Sequence, residues 1–323
     1  MIKIIKSNKF TIFIILLICF IFALNPAVYS KSCLNALSVW GFNVFPVLFP
    51  FFIFTRVIVS LSENKPNFMD KFFNKFYNCP YSGFQTFFLS ILSGYPMGAK
   101  LISNLFEDKK IDSSTAKKMF SFCSVSGPMF MLGTVGISIF SSFKCGLVIL
   151  VSNILASLIN GLFYRGKKAK LNYINSNTPP TKNQENLIGN CVSDALSSIL
   201  MVGAYIILSF LIIDMFKNLH FFDFFANVLN RIFKIDKNIF NATLCGIFEI
   251  TRGCIEINST SLNLCFKTVI ASTLIGFGGI STFLQSLHFI SKVNLKTSTI
   301  LLQKFTQGLL CLAISLPFSI LFL

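Results

Sequence analysis

Two short segments of this chain place glycine, proline and charged residues inside apolar runs that resemble membrane helices. The first runs from Ser93 to Lys100 and reads SGYPMGAK, and the second runs from Gly246 to Gly253 and reads GIFEITRG. Backbone that leaves the helix at membrane depth is tolerated only where it is buried in protein or lines a cavity. Interrupted apolar segments in corresponding positions of two halves point to a substrate site. The sequence therefore predicts an integral membrane transporter whose site lies at these two breaks.

The residue types at the breaks suit a small solute that carries carboxylates. Helix N-termini at mid-membrane offer unpaired amide groups and partial positive charge, and Arg252 could hold a carboxylate through two hydrogen bonds. Glu249 or Glu256 could carry a proton or a sodium ion that drives transport. The candidate substrate-binding residues, which include the small-residue breaks of two neighbouring helices, are Gly94, Tyr95, Pro96, Gly98, Lys100, Ser126, Gly127, Glu249, Thr251, Arg252, Gly278, Gly279 and Ser281.

The same residues also have purely structural interpretations. Arg252 stands three residues after Glu249 and four before Glu256, so a local ion pair could simply hold the segment together. Lys100 could be an interfacial anchor, and the small residues at 124–128 and 276–281 could serve close helix packing. These alternatives stay open at the level of the sequence.

Composition restricts the class of protein. Hydrophobic residues make up 54% of the chain and charged residues 12%, whereas a soluble domain is about 25% charged. The net charge of +16 comes largely from lysines in short loops between apolar runs, which is typical of topology signals rather than of nucleic-acid binding. The ten cysteines form no C-x-x-C pair and there are two histidines, so we expect no metal site. No nucleotide-binding loop or nucleophile motif is present, so we expect neither an enzyme nor a cofactor.

The apolar runs divide the chain into two similar halves. An uncleaved N-terminal transmembrane helix is expected within residues 1–30, and a cleaved signal peptide is the alternative, because Val28-Tyr29-Ser30 loosely fits the small-residue cleavage rule. A first repeat covers 36–163, a basic cytoplasmic linker covers 164–186, and a second repeat covers 187–323. Each repeat reads as a helix, an amphipathic helix, a broken hairpin and two further helices.

The basic residues predict the topology. The segments 62–80 and 214–238 are Phe-rich and amphipathic, which is typical of interfacial helices. If both broken segments enter and leave the membrane on one side, most of the 28 Lys and Arg residues fall on the cytoplasmic side together with the N-terminus, as the positive-inside rule requires. We therefore predict an all-α fold of about seven transmembrane helices and two re-entrant hairpins in an inverted repeat.

Five blocks of the chain resemble the sporulation integral membrane protein YlbJ (SpoVV) family, of the nucleoside-recognition or "gate" domain group related to concentrative nucleoside transporters. They are GFNVFPVLFP at 41–50, GYPMGAK at 94–100, SGPMFMLG at 126–133, EITRG at 249–253 and GFGGIS at 276–281. The resemblance implies a role in endospore formation and the transport of dipicolinate, a pyridine dicarboxylate, from the mother cell across the outer forespore membrane. The chain departs from the family pattern at Arg252, where a small polar residue, often Asn, is expected.

Two alternatives accompany this interpretation. The gate-domain relationship also fits a transporter of nucleosides or nucleobases. A third class is a non-transporting scaffold protein of the spore envelope, although a scaffold has no need of unwound backbone in lipid. Expected partners are the bilayer of a bacterial cell membrane and the small anionic solute, and a homo-oligomer is compatible with such a chain.

Overall fold

The computed structural model describes residues 8–61, 68–79, 82–166, 186–234 and 236–323, and every regular element within these ranges is a helix. The α-helices are α1 (Asn8–Leu24), α2 (Pro26–Val39), α3 (Phe45–Leu61), α4 (Phe68–Tyr77), α5 (Ser82–Ser93), α6 (Met97–Glu107), α7 (Ser113–Cys123), α8 (Phe143–Phe163), α9 (Leu187–Asn218), α10 (Phe221–Phe233), α11 (Lys237–Phe248), α12 (Ile250–Asn258), α13 (Leu264–Phe277), α14 (Gly279–Ile290) and α15 (Thr297–Phe322). Trp40–Val44 and Phe130–Ile139 form π-helices, and Ser291–Val293 forms a short 3₁₀-helix.

Five helical stretches in the described residues are long and apolar enough to cross a membrane. They are Pro26–Ile58, Phe143–Phe163, Leu187–Asn218, Leu264–Val293 and Thr297–Phe322. Large apolar side chains on the outer faces of these helices are exposed, for example Phe305 at 54%, which a lipid environment accommodates. The class is therefore an all-α membrane protein, and the count of seven spans with two re-entrant hairpins stays a prediction.

The order of elements is the same in the two halves. In the first half a long helical stretch ending in α3 is followed by α4, the pair α5–α6, the interrupted stretch from α7 to Ile139, and α8. In the second half α9 is followed by α10, the pair α11–α12, the interrupted pair α13–α14, and α15. The inverted relation between the halves stays a prediction, and most of the predicted linker, 167–185, lies outside the described residues.

Two boundaries differ from those expected. The N-terminal helix α1 ends at Leu24 and α2 begins at Pro26, so residues 31–35, which lie between the predicted N-terminal unit and the first repeat, are helical. Proline favours the first turn of a helix, because the amide hydrogen it lacks has no partner there. In addition, α9 continues through Asn218, which places Asp214 and Lys217 on this long helix and not in the interfacial segment predicted from 214.

The π-helix at Trp40–Val44 follows from the prolines after it. Pro46 has no amide hydrogen, so it cannot close the regular bond to the carbonyl four residues earlier. The amide of Phe45 donates to the carbonyl of Trp40, five residues back. The carbonyl of Asn43 accepts from Thr134 Oγ1 at 2.9 Å, which connects this segment to the second π-helix.

Hydrogen bonds from polar side chains connect α8 to α13 and to α15. Asn153 on α8 donates to Ser272 Oγ of α13 at 3.2 Å, and Asn160 donates to the carbonyl of Gln303 on α15 at 3.1 Å. Thr306 Oγ1, also on α15, donates to Asn160 Oδ1 at 2.7 Å. Hydrogen bonds between membrane helices contribute modestly, at about 0.6 kcal/mol each on average, and here they fix α8, α13 and α15 against one another.

Candidate functional site

The first break is a sharp turn between α5 and α6. α5 ends at Ser93 and α6 begins at Met97, with Gly94 at a φ of 72° between them. This left-handed conformation favours glycine. The turn packs on the second interruption of the same half, because a Cβ at Gly94 would lie 2.9 Å from the Cα of Gly127. The structure thus brings together two of the small-residue breaks that the sequence singled out.

The second break is centred on Glu249, which links α11 to α12 in an extended conformation. Its carboxylate caps α12, since it accepts from the amide of Arg252 at 2.7 Å and from Thr251 Oγ1 at 3.1 Å. The side chain is only 3% exposed. Acidic residues are favoured at helix N-termini because they accept from the free amides there. Glu249 therefore has a clear structural role, and a carboxylate is held at the tip of the second hairpin.

A cavity of about 50 Å³ lies where the two breaks meet. Its apolar wall comes from the long helical stretches and the second π-helix, and its polar wall comes from the two hairpin tips and α14. The lining residues are Val44, Leu48, Ser93, Gly94, Tyr95, Ser126, Gly127, Phe130, Val202, Ile206, Glu249, Ile250, Thr251, Thr282 and Gln285. An apolar cavity with a few convergent polar groups is the usual form of a small-molecule site.

Two buried polar atoms of this lining lack a hydrogen-bond partner among the described residues. They are Ser93 Oγ and Gln285 Oε1, on residues that are each 1% exposed. A buried polar atom left unpaired is costly, and such atoms call for an explanation such as a bound molecule. Both residues belong to the cavity lining, so a polar ligand bound there could supply the missing partners.

Six of the thirteen candidate residues line the cavity, namely Gly94, Tyr95, Ser126, Gly127, Glu249 and Thr251. The other seven are not part of the lining. Pro96 and Gly98 belong to the start of α6, while Gly278 and Gly279 form the turn between α13 and α14 at φ angles of 92° and 64°. Ser281 accepts from the Gln285 amide at 3.4 Å. The ammonium of Lys100 lies 5.9 Å from the ring centroid of Phe289.

Arg252 is engaged in ion pairs rather than in the cavity lining. Its guanidinium donates to Glu256 Oε1 at 2.6 Å and to Asp214 Oδ1 at 3.0 Å, and it lies 4.9 Å from the ring of Phe210. Lys217 donates to the same Glu256 oxygen at 2.6 Å. Two cations and two carboxylates thus link α12 to α9, in a cluster that sequence reasoning missed because it read Asp214 and Lys217 as part of an interfacial segment.

Lys304 is the second feature that the sequence analysis passed over. It lies on α15, is 3% exposed, and donates to the hydroxyl of Tyr95, to the carbonyl of Ser124 at 2.8 Å and to Gln307 Oε1 at 2.9 Å. The sequence could have indicated Lys304, because it is a lysine within the last apolar run and ionisable residues inside membrane segments are functional candidates by default. Through Tyr95 this side chain touches the cavity wall.

The described residues contain no group of three or more His, Cys, Asp or Glu side chains placed to hold a metal ion. The cavity instead offers hydroxyl, amide and carboxyl groups. These can exchange hydrogen bonds with a polar organic solute.

The fold and this cavity define an all-α integral membrane protein with a buried polar site between two interrupted helix pairs. The chain is similar to the "Sporulation integral membrane protein YlbJ" of Bacillus subtilis (strain 168), at 24% identity over 309 residues that cover 88% of this chain and 76% of the relative. This similarity supports the YlbJ family assignment that the five sequence blocks suggested. No family model matches the chain, and no solved structure matches it.

Proposed function

We propose that this protein is a secondary transporter that moves a small anionic solute, dipicolinate, from the mother cell across the outer forespore membrane. The proposal depends on one observation, the cavity at the meeting point of the two breaks with its unpaired Ser93 Oγ and Gln285 Oε1. A role in sporulation is supported by the name of the relative. Dipicolinate is the solute that the family resemblance implies.

The two kinds of cavity wall suit a planar ring with polar edges. Phe130 and Ile206 supply apolar surface that could cover ring faces, while Ser93, Thr251 and Gln285 supply hydroxyl and amide groups. Apolar contacts give a site affinity, and a few placed polar groups orient the ligand. A pyridine dicarboxylate presents both features.

The size of the cavity bears on how transport would occur. A volume of about 50 Å³ holds a few water molecules, since one water needs roughly 10–15 Å³ by the same measure. A ring with two carboxylates needs more room. We therefore propose that solute entry separates the hairpin tips, so that opening on one side and then on the other gives alternating access.

Glu249 is the carboxyl group in the lining, and we propose that it carries the coupling proton. A carboxylate facing an anionic solute would repel it, so the solute and a proton would enter together. Glu256 is less suited to this role, because Arg252 and Lys217 both hold its carboxylate in ion pairs.

Transport of a nucleoside or nucleobase is the second candidate. It is favoured by one observation: the charged side chain that lines the cavity directly is an acid, Glu249. Together with the Gln285 amide, it could exchange hydrogen bonds with a neutral base or sugar. A site of this kind would reject dianions.

Flux in proteoliposomes separates these functions. Purified protein is reconstituted, and uptake of labelled dipicolinate and of labelled uridine is followed with an inward proton gradient, an inward sodium gradient, or neither. We expect dipicolinate uptake that the proton gradient accelerates and that Gln285→Leu reduces. Ser197→Ala, at an exposed position on α9, serves as the control. Uptake of uridine alone would favour the second candidate, and failure to take up either would favour a scaffold protein.

A further inference from the structure

Lys304 is a buried lysine whose hydrogen-bond partners are all neutral groups. Its ammonium donates to the Tyr95 hydroxyl, the Ser124 carbonyl and the Gln307 amide oxygen. It also lies 4.8 Å from the centroid of the Tyr95 ring. Within the described residues, no carboxylate oxygen lies within ion-pairing distance of it, whereas Arg56, Lys217 and Arg252 all have such partners.

The environment makes this lack of a counter-charge significant. Lys304 is 3% exposed and lies on α15, one of the helices apolar enough to span a membrane. Buried charges are usually paired, and an ionisable residue inside a membrane segment is retained at a cost that calls for a function. Hydrogen bonds to three neutral oxygens can satisfy the three donors of a protonated ammonium group, but none of these partners in the described part of the chain carries a compensating negative charge.

Tyr95 connects this charge to the solute site. The tyrosine lines the cavity, and its hydroxyl accepts from Lys304 while it donates to the Ser124 carbonyl at 3.0 Å. A neighbouring ammonium group makes a phenol hydroxyl a stronger donor. The same hydroxyl could turn its hydrogen from the Ser124 carbonyl to a carboxylate in the cavity.

Arg252, the other basic residue near the site, cannot supply positive potential to the cavity while its own ion pairs are intact. Arg252 pairs with Asp214 and shares Glu256 with Lys217, so two positive and two negative side chains balance within that cluster. An anion at the cavity would gain little from a charge that is already neutralised. Lys304 is therefore the better source of positive potential.

We infer that Lys304 is the charge-selectivity residue of the cavity: acting through the Tyr95 hydroxyl, it supplies the positive potential that favours solutes bearing carboxylates over neutral analogues. This inference deepens the proposed function and rests on it. It assigns Lys304 a positioning and electrostatic role, with Tyr95 as the group that touches the solute. The carboxylate of the solute would be the counter-charge that the described residues do not provide.

The test compares two ligands of the same shape and different charge. Binding of pyridine-2,6-dicarboxylate and of its neutral diamide is measured by calorimetry on the detergent-purified full chain, for wild type, Lys304→Met, Tyr95→Phe and the control Lys292→Met. Lys292 is an exposed lysine paired with Glu107. For Lys304→Met we expect the dicarboxylate affinity to fall about tenfold or more, because removing a positive charge close to the cavity weakens its attraction for both carboxylates in a low-dielectric interior. The diamide affinity should remain within about threefold of wild type, because a neutral ligand gains little from the charge.

The outcomes separate the inference from the proposed function. If wild type does not bind the dicarboxylate, the proposed function fails and this inference falls with it. If wild type binds the dicarboxylate and Lys304→Met binds it equally well, or loses both ligands to the same extent, the inference is overturned while the function stands. Should Lys304→Met not fold, Tyr95→Phe decides: a selective loss of dicarboxylate binding supports the inference, and unchanged selectivity overturns it.

Discussion

The backbones of Gly94 and Gly127 are in direct contact, 33 positions apart in the chain, and a Cβ on Gly94 would lie 2.9 Å from the Cα of Gly127. This contact docks the tip of the α5–α6 pair on the interruption after α7. The second half has a corresponding contact, because a Cβ on Gly279 would lie 3.3 Å from the carbonyl oxygen of Gly246. In both halves a hairpin tip packs on a broken neighbouring helix, and the cavity lies between these contacts.

Gly94→Ala should therefore impair both folding and transport. The φ of 72° costs a non-glycine residue about 1–2 kcal/mol, and the added methyl group pushes the hairpin tip away from Gly127. We expect a lower melting temperature in detergent and loss of uptake in proteoliposomes. The matched control is Gly41→Ala, where nothing lies within 4 Å of an added Cβ. Equal behaviour of the two variants would contradict the close docking of the tip.

The breaks themselves could be predicted from sequence because their residue types have few other uses inside an apolar run. Gly94 and Gly278 follow the ends of α5 and α13, and Pro96 precedes α6, for reasons that are local to the backbone, so the pattern alone located these breaks. The sequence also marked Glu249 as a member of the site. It did not reveal that this carboxylate caps α12, because a cap depends on which residue begins the helix.

Glu249→Gln should uncouple transport from the proton gradient. The amide oxygen of glutamine can still accept from the Arg252 amide, which in the native protein lies 2.7 Å from the carboxylate, so the helix cap is largely kept. A glutamine cannot bind and release a proton. We expect accumulation driven by a proton gradient to fall to background, while exchange of labelled for unlabelled dipicolinate continues. Retention of gradient-driven accumulation would exclude Glu249 as the proton carrier.

Arg252 should contribute mainly to stability, through Asp214 and Glu256. The Arg252 side chain is 19% exposed, and removal of one partner from a largely buried ion pair leaves charge uncompensated. We expect Arg252→Gln to lower the free energy of unfolding by about 1–3 kcal/mol. In the background of Asp214→Asn the same change should cost less, with a coupling of at least about 0.5 kcal/mol.

A matched control for the Arg252 and Asp214 variants is Lys292→Met, which breaks the exposed pair with Glu107 at 2.8 Å. Exposed ion pairs contribute about 0–1 kcal/mol, so its effect should be small. The contrary result would be an Arg252→Gln variant that melts like wild type and no longer binds dipicolinate. That result would support direct contact between Arg252 and the solute, which is the alternative that the sequence left open.

Long-range partners were the part of the site that the sequence could not supply. Lys304 and Tyr95 are separated by 209 positions, and Asp214 and Arg252 by 38. Hydropathy identifies the helices but does not give the rotation of each helix about its axis, which decides what a polar side chain faces. For the same reason Gln285, a polar residue within α14, could not be assigned to the cavity in advance.

The lengths of the paired helices lead to a prediction about topology. α5 has 12 residues and α6 has 11, so each rises roughly 16–18 Å at 1.5 Å per residue. The hydrocarbon core is about 30 Å thick, and neither helix alone crosses it.

We therefore expect Ser82→Cys, at the start of α5, and Asp108→Cys, just after α6, to react with an impermeant thiol reagent from the same side of the membrane. The background is a variant whose ten native cysteines are replaced, and Lys144→Cys, just inside the start of α8, reports the opposite side. Labelling of Ser82→Cys and Asp108→Cys from different sides would mean that the pair spans the bilayer, and the two breaks could then not meet at a re-entrant tip.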